Sequence, residues 1–148
     1  MRCTLRPLVD ANILLYAYDS SSPRHGPARA WLEETLSSQV DVRFALASVV
    51  AFLRIGTSPT VFQARLGADE AIEIVRGLMA RPTVGIAQPT DRHWSILARV
   101  ARTGQARGPL LMDAHLAALA IEHGATLCTT DRDFARFPRL RFKNPLGD

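Results

Sequence analysis

The order of segments predicts an α/β domain, a three-layer α/β/α sandwich around a central parallel sheet. Three observations carry this. Short apolar runs of strand length alternate with longer runs of helical periodicity. Prolines and glycines stand singly at segment ends, so no linker or repeat divides the chain. Finally, 148 residues, 47% of them hydrophobic, are enough for one core, so residues 1–148 read as a single domain.

In chain order, Leu5 to Val9 reads as a buried strand ending at Asp10, and Asn12 to Tyr18 as a short helix. Ser22-Pro23 opens a second helix to about Leu36, with Ala28, Trp31, Leu32 and Thr35 on one face. Val42 to Leu46 is the next strand, followed by a helix from Ala47 to Ile55 that Gly56 and Pro59 stop. Asp69 caps a helix through Met79, amphipathic at Ala71, Ile74, Val75 and Leu78. Val84 to Ala87 is a strand, and Thr90 caps a helix to Thr103 that Gly104 breaks. Pro109 starts a helix through His123, and Gly124 ends it in a left-handed turn. Ala125 to Thr129 is a strand leading to Asp131, and Arg141-Phe142 a last short one. Trp31 and Trp94 stand at helical-face positions expected in the core, and the four histidines show no metal-ligand spacing.

Ligands of parallel sheets bind at the carboxyl ends of the strands. Asp10 and Asp131 stand there, and adjacent strands would open both carboxylates onto one edge. Asp113 lies within the apolar sequence Leu110 to Leu116, and helical spacing puts Leu116, Ala117 and Ala120 on its side. A carboxylate turned inward needs a cation or strong donors, and magnesium takes such hard oxygen ligands while keeping several waters. Each acid alone has a plainer reading. Asp10 and Asp131 could cap the turns that follow them, and Asp113 could pair with Arg99 or Arg102. Three carboxylates beside buried strands or on a buried helix face argue jointly for a metal site. Asn12 and Thr130 could position waters there, and Arg54 could present a guanidinium to a phosphate at the cleft mouth.

Eighteen basic residues against 14 acidic ones give a net charge of +4. Setting aside Asp10, Asp113, Asp131 and Asp133 raises the charge on the remainder to +8, a distribution suited to a polyanionic substrate. Cys3 and Cys128 form no metal knuckle or disulfide framework, which points to a reduced, cytoplasmic setting. Asp10 and Asn12 interrupt the N-terminal apolar stretch, which lacks a cleavage site. Ala45 to Leu53 is too short for the roughly 20 residues of a membrane span.

Four segments in this order, Leu8 to Leu15, Phe52 to Ile55, Asp113 to Ala120 and Thr130 to Phe134, resemble the PIN-domain VapC toxins over Leu8 to Pro145. The resemblance implies a magnesium-dependent endoribonuclease, with manganese as a substitute, that cuts tRNA or rRNA. It also implies a cognate VapB-like antitoxin as partner, and with it a homodimer whose interface would use the helices Ala28 to Leu36 and Ile72 to Met79. Carried over, the first family acid falls on Asp10, the third on Asp113 and the fourth on Asp131, with Asp133 as accessory. The second, usually a Glu, falls near Ala51, and no acid occurs between Asp41 and Asp69.

Two other readings compete. A phosphotransferase with an aspartyl nucleophile also ends its first strand in Asp, but its second Asp would stand where Asn12 does. A PIN-like module that binds RNA or antitoxin, with cleavage weakened by loss of the second acid, is the non-enzymatic alternative.

Overall fold

The computed structural model describes residues 6–60 and 66–147. Its strands are β1 (Pro7–Val9), β2 (Val42–Phe44), β3 (Val84–Ile86), β4 (Thr126–Cys128) and β5 (Phe142–Lys143). They form one sheet in the order β3-β2-β1-β4-β5, with every pairing parallel. The helices are α1 (Ala11–Ala17), α2 (His25–Ser37), α3 (Leu46–Gly56), α4 (Ala68–Met79), α5 (His93–Thr103) and α6 (Leu110–Glu122). A 3-10 turn over Arg132–Arg136 follows β4.

The three layers follow from side-chain alternation along the strands. Val9, Val42, Phe44 and Val84 enter a core shared with α1 to α4. Leu8 and Leu127 enter a second core, closed by Val100 of α5, by Ala117 and Leu119 of α6, and by Phe134 and Phe137. β1 is buried along its whole length, as the central strand of a parallel sheet must be. Register pairs Leu8 with Leu127 and Val9 with Cys128, so the strands that precede Asp10 and Asp131 are neighbours. Chain direction across the sheet reverses between them, the place where such sheets open a ligand crevice.

Several boundaries differ from those expected. β2 stops at Phe44, and Leu46 opens α3 with 62% of its surface exposed, because the extended Ala45 already turns the chain away from the sheet. Gly67, not Asp69, caps α4; Asp69 occupies the first turn, where the helix dipole favours an acid, and the Glu70 carboxylate accepts from the Gly67 N–H at 3.3 Å. α2 begins at His25, two residues past Pro23. Leu5 and Cys3 lie outside the described residues. Trp94 is 75% exposed rather than core, because α5 packs through Ile96, Leu97 and Val100. Gly124 does take the left-handed conformation expected after α6, at φ +62°. No helix among the described residues is long and apolar enough to cross a membrane.

Thr90 does not cap α5, which starts at His93. Its hydroxyl and its N–H donate to the Glu122 carboxylate at 2.6 and 2.8 Å. His93 Nδ1 meets the other carboxylate oxygen, and His93 Nε2 lies 3.0 Å from His115 Nδ1. Burial would raise the pKa of Glu122, but the hydrogen bonds from His93 and Thr90 hold it below the usual carboxylate range. Burial and the neighbouring His93 lower that of His115. The network ties α5 to α6, and no spacing in the sequence disclosed it. Glu122→Ala would leave the His93 ring and the Thr90 donors without their acceptor. It should cost about 3 kcal/mol of folding free energy in a urea titration, the low end for breaking a buried pair. A loss below about 1 kcal/mol would mean that the network contributes little to stability.

Candidate active site

Asp10 follows directly on β1, and its backbone N–H donates to the Cys128 carbonyl at 3.0 Å, which extends the β1–β4 ladder by one rung. The carboxylate is fixed on both oxygens: Oδ1 accepts from the Ala11 N–H at 2.7 Å, and Oδ2 accepts from the Thr129 hydroxyl at 2.8 Å. Asp10 therefore does cap α1, the plainer reading, while also standing in the crevice. Burial raises its pKa against those two hydrogen bonds, and Asp131 raises it further.

Thr129 is 1% exposed and serves three partners. Besides donating to Asp10, its oxygen accepts from Asn12 Nδ2 at 3.3 Å and from the Asp131 N–H at 3.0 Å. One hydroxyl thus links the ends of β1 and β4. Thr130 is the residue expected to position waters here; the threonine that hydrogen-bonds Asp10, Asn12 and Asp131 is its neighbour, Thr129. A threonine buried at the end of an apolar strand, beside a turn acid, was the available signal. Thr129→Val should cost about 1–2 kcal/mol, because it strands the Asn12 amide and removes a donor from Asp10. Thr129→Ser should restore stability, and unchanged melting curves for Thr129→Val would refute the linking role.

Asp131 caps the 3-10 turn by accepting from the Asp133 N–H at 2.9 Å. Asp113 lies half-buried in the first turn of α6, with Leu116, Ala117 and Ala120 buried as expected. Its pKa is raised to about 6, first by burial and then by the charges of Asp131, Asp10 and Asp133, with Arg136 opposing. The four acids found in the sequence are thus brought within reach of one another's fields. The cation beside Asp113 is Arg136, not Arg99 or Arg102.

Ala51 and Arg54 stand on α3. They line a cleft of about 570 Å³ with Val50, Met112, His115 and Leu119, and no acid borders it. Exposed apolar side chains gather on this cleft, at Leu46, Val50 and Met112. The helices expected to provide interfaces are less apolar outside: on α2, Ala28 and Leu32 are buried, and on α4 the exposed large apolar residue is Ile72.

Among the described residues, no three His, Cys, Asp or Glu side chains converge closely enough to chelate an ion unaided. The donor set nevertheless fits a hard divalent cation that keeps waters. Its ligands are carboxylate oxygens, their mutual repulsion is poorly offset by Arg136, and the buried Asn12 Oδ1 has no hydrogen-bond partner. The Asn12 orientation is consistent, since the Thr129 hydroxyl spends its proton on Asp10 and can only accept from the amide.

The family model for the PIN domain matches residues 8–140. Ribonuclease VapC37 of Mycobacterium tuberculosis is 41% identical over 138 residues, 93% of this chain and 96% of that protein. Ribonuclease VapC33 of the same species is 36% identical over 140 residues, 94% and 97% of the two chains. Among solved structures, VapBC-1 from nontypeable Haemophilus influenzae superposes with a TM-score of 0.70 at 15% identity, covering 97% of this chain and all of that one.

Proposed function

The chain belongs to the PIN-domain family and is a VapC-type ribonuclease, and from that premise we propose that it is a magnesium-dependent toxin that cleaves tRNA or rRNA at the acidic crevice between β1 and β4. The observation that carries the proposal is the gathering of Asp10, Asp113, Asp131 and Asp133 at one crevice, where burial first and then the charges of Asp131, Asp10 and Asp133 raise the Asp113 pKa to about 6. A site that burial and like charge make so unfavourable when empty is one that a cation stabilises.

Asp10, Asp113 and Asp131 would hold the ion, with Asp133 as an accessory. When bound, magnesium supplies charge stabilisation at the cleaved phosphate and a more acidic water. The protein's own groups do the rest. The Thr129 hydroxyl and the Ala11 N–H fix the Asp10 carboxylate, so its orientation requires no rearrangement when substrate arrives. Asn12 Oδ1 offers a free acceptor that can orient an attacking water, a part Asp131 can share. No nucleophilic side chain is needed, and Asn12 in place of a second Asp speaks against an aspartyl phosphotransferase.

The partner of such a toxin would be a small VapB-like antitoxin that covers the crevice, and the active form a homodimer. The exposed Leu46, Val50 and Met112 make the α3–α6 cleft the better candidate for an interface than α2 or α4. The test of function is incubation of the purified protein with cellular RNA and magnesium, with sequencing of the new ends. Discrete cuts that vanish in excess EDTA support the reading, whereas undiminished cutting in chelator defeats it.

The acid missing at Ala51 bears on metal number. Among the described residues, the charges that act on Asp113 are Asp10, Asp131, Asp133 and Arg136, and none of these acids stands at the family Glu position. The free protein should hold one ion, and weakly, with substrate phosphate completing the ligands. Ala51→Glu should tighten manganese binding without RNA, read by calorimetry. Unchanged affinity would show that this wall of the α3–α6 cleft does not reach the metal.

A further inference from the structure

The end of α5 and the segment joining it to α6 form a second concave surface. It is about 580 Å³ in volume and is lined by Ala101, Arg102, Gln105, Ala106 and Arg107. No acid borders it, and the ion pairs among the described residues involve Arg29, Arg76 and His93, not Arg102 or Arg107. The segment has a defined shape. Gln105 and Gly108 take left-handed conformations at φ 53° and 60°, the Ala106 N–H closes on the Ala101 carbonyl at 2.9 Å, and the Arg107 carbonyl accepts from the Leu110 N–H at 3.2 Å as α6 begins.

This segment is fastened to the acidic turn after β4. Arg136 Nη1 donates to the Gly104 carbonyl at 2.9 Å, and the Phe137 ring packs so closely on Gly104 that a Cβ there would stand 2.6 Å from it. Arg136 is also the cation acting on Asp113. One guanidinium therefore spans from the acids to the rim of the basic pocket. Arg107, on the same pocket, stands only six residues before Asp113 in the chain.

Resting on the ribonuclease reading above, we infer that the pocket of Arg102, Gln105 and Arg107 is a phosphate-binding subsite that holds the RNA backbone flanking the cleaved bond, with Arg136 as the bridge from the acids. Two unpaired guanidinia suit phosphate oxygens, Gln105 adds a neutral donor, and the locked loop keeps the spacing to the scissile phosphate fixed. The contact is to the backbone and so positions any sequence equally.

The test uses Asp113→Asn protein, so that RNA is not consumed, and measures the affinity for a fluorescent single-stranded RNA between about 50 and 200 mM salt. Adding Arg102→Gln and Arg107→Gln should weaken binding about tenfold or more at low salt. It should also flatten the log–log salt slope by about 1.4, two contacts at roughly 0.7 each. A control pair, Arg29→Gln with Arg76→Gln, removes the same charge from α2 and α4 and should change neither. The inference is overturned if the loop pair behaves like the control, or if affinity falls while the salt slope stays unchanged. If the unmodified protein neither binds nor cuts RNA with magnesium present, the ribonuclease reading fails, and the inference fails with it.

Discussion

Asp113→Asn is expected to reduce RNA cleavage by at least about a hundredfold, the low end for loss of one preorganised electrostatic group, while raising the melting temperature of the metal-free protein. The two effects have one cause. In the folded chain the Asp113 carboxyl has a pKa of about 6, against about 3.9 when unfolded. Between those values the folded state keeps a proton that the unfolded chain has released. Stability therefore falls as pH rises through that window and stays reduced above it. An amide of the same shape removes the repulsion from Asp131 and Asp10 along with the function. Cleavage assays and calorimetric melting in EDTA at neutral pH check both halves. A variant that is inactive but also less stable would show that Asp113 is held by favourable contacts rather than against its environment.

Metal affinity and cleavage should both fall by about tenfold per pH unit below about 6, because the ion must displace the Asp113 proton. Asp10, also raised by burial and by Asp131, steepens the decline. Manganese titrations from pH 5 to 7.5 at constant ionic strength read this directly. An affinity flat across that range would mean that Asp113 does not ligate. The pH dependence of stability runs the opposite way, so adding metal should stabilise the protein most above pH 6.

Sequence periodicity revealed the layers because it reports burial, and burial follows the pleat and the helical turn. It singled out Asp10 and Asp131 because they end strands, and Asp113 because an acid in an apolar context has few structural uses. It could not reveal Thr129, whose importance comes from β1 and β4 being neighbours, nor Arg136, whose carbonyl partner lies 32 residues away. Glu122, His93 and His115 escaped for the same reason, since their spacing along the chain resembles nothing a metal or a catalytic triad requires. Trp94 misled because helical phase alone does not say where the stripe ends. Leu46 misled because an apolar residue after a strand reads as more strand until the turn at Ala45 is known.

The pairing of β1 with β4 has a consequence for how the protein is made. Asp10 is synthesised near the start of the chain, yet the Thr129 hydroxyl that orients it lies 119 residues later, and Asp131 beyond that. Bringing them together closes a loop spanning most of the molecule, so this pairing is slow and comes late in folding. A chain still emerging from the ribosome has β1, β2 and β3 in hand but no strand to complete the crevice. Until β4 has been made and has paired with β1, the crevice lacks both the Thr129 hydroxyl and Asp131.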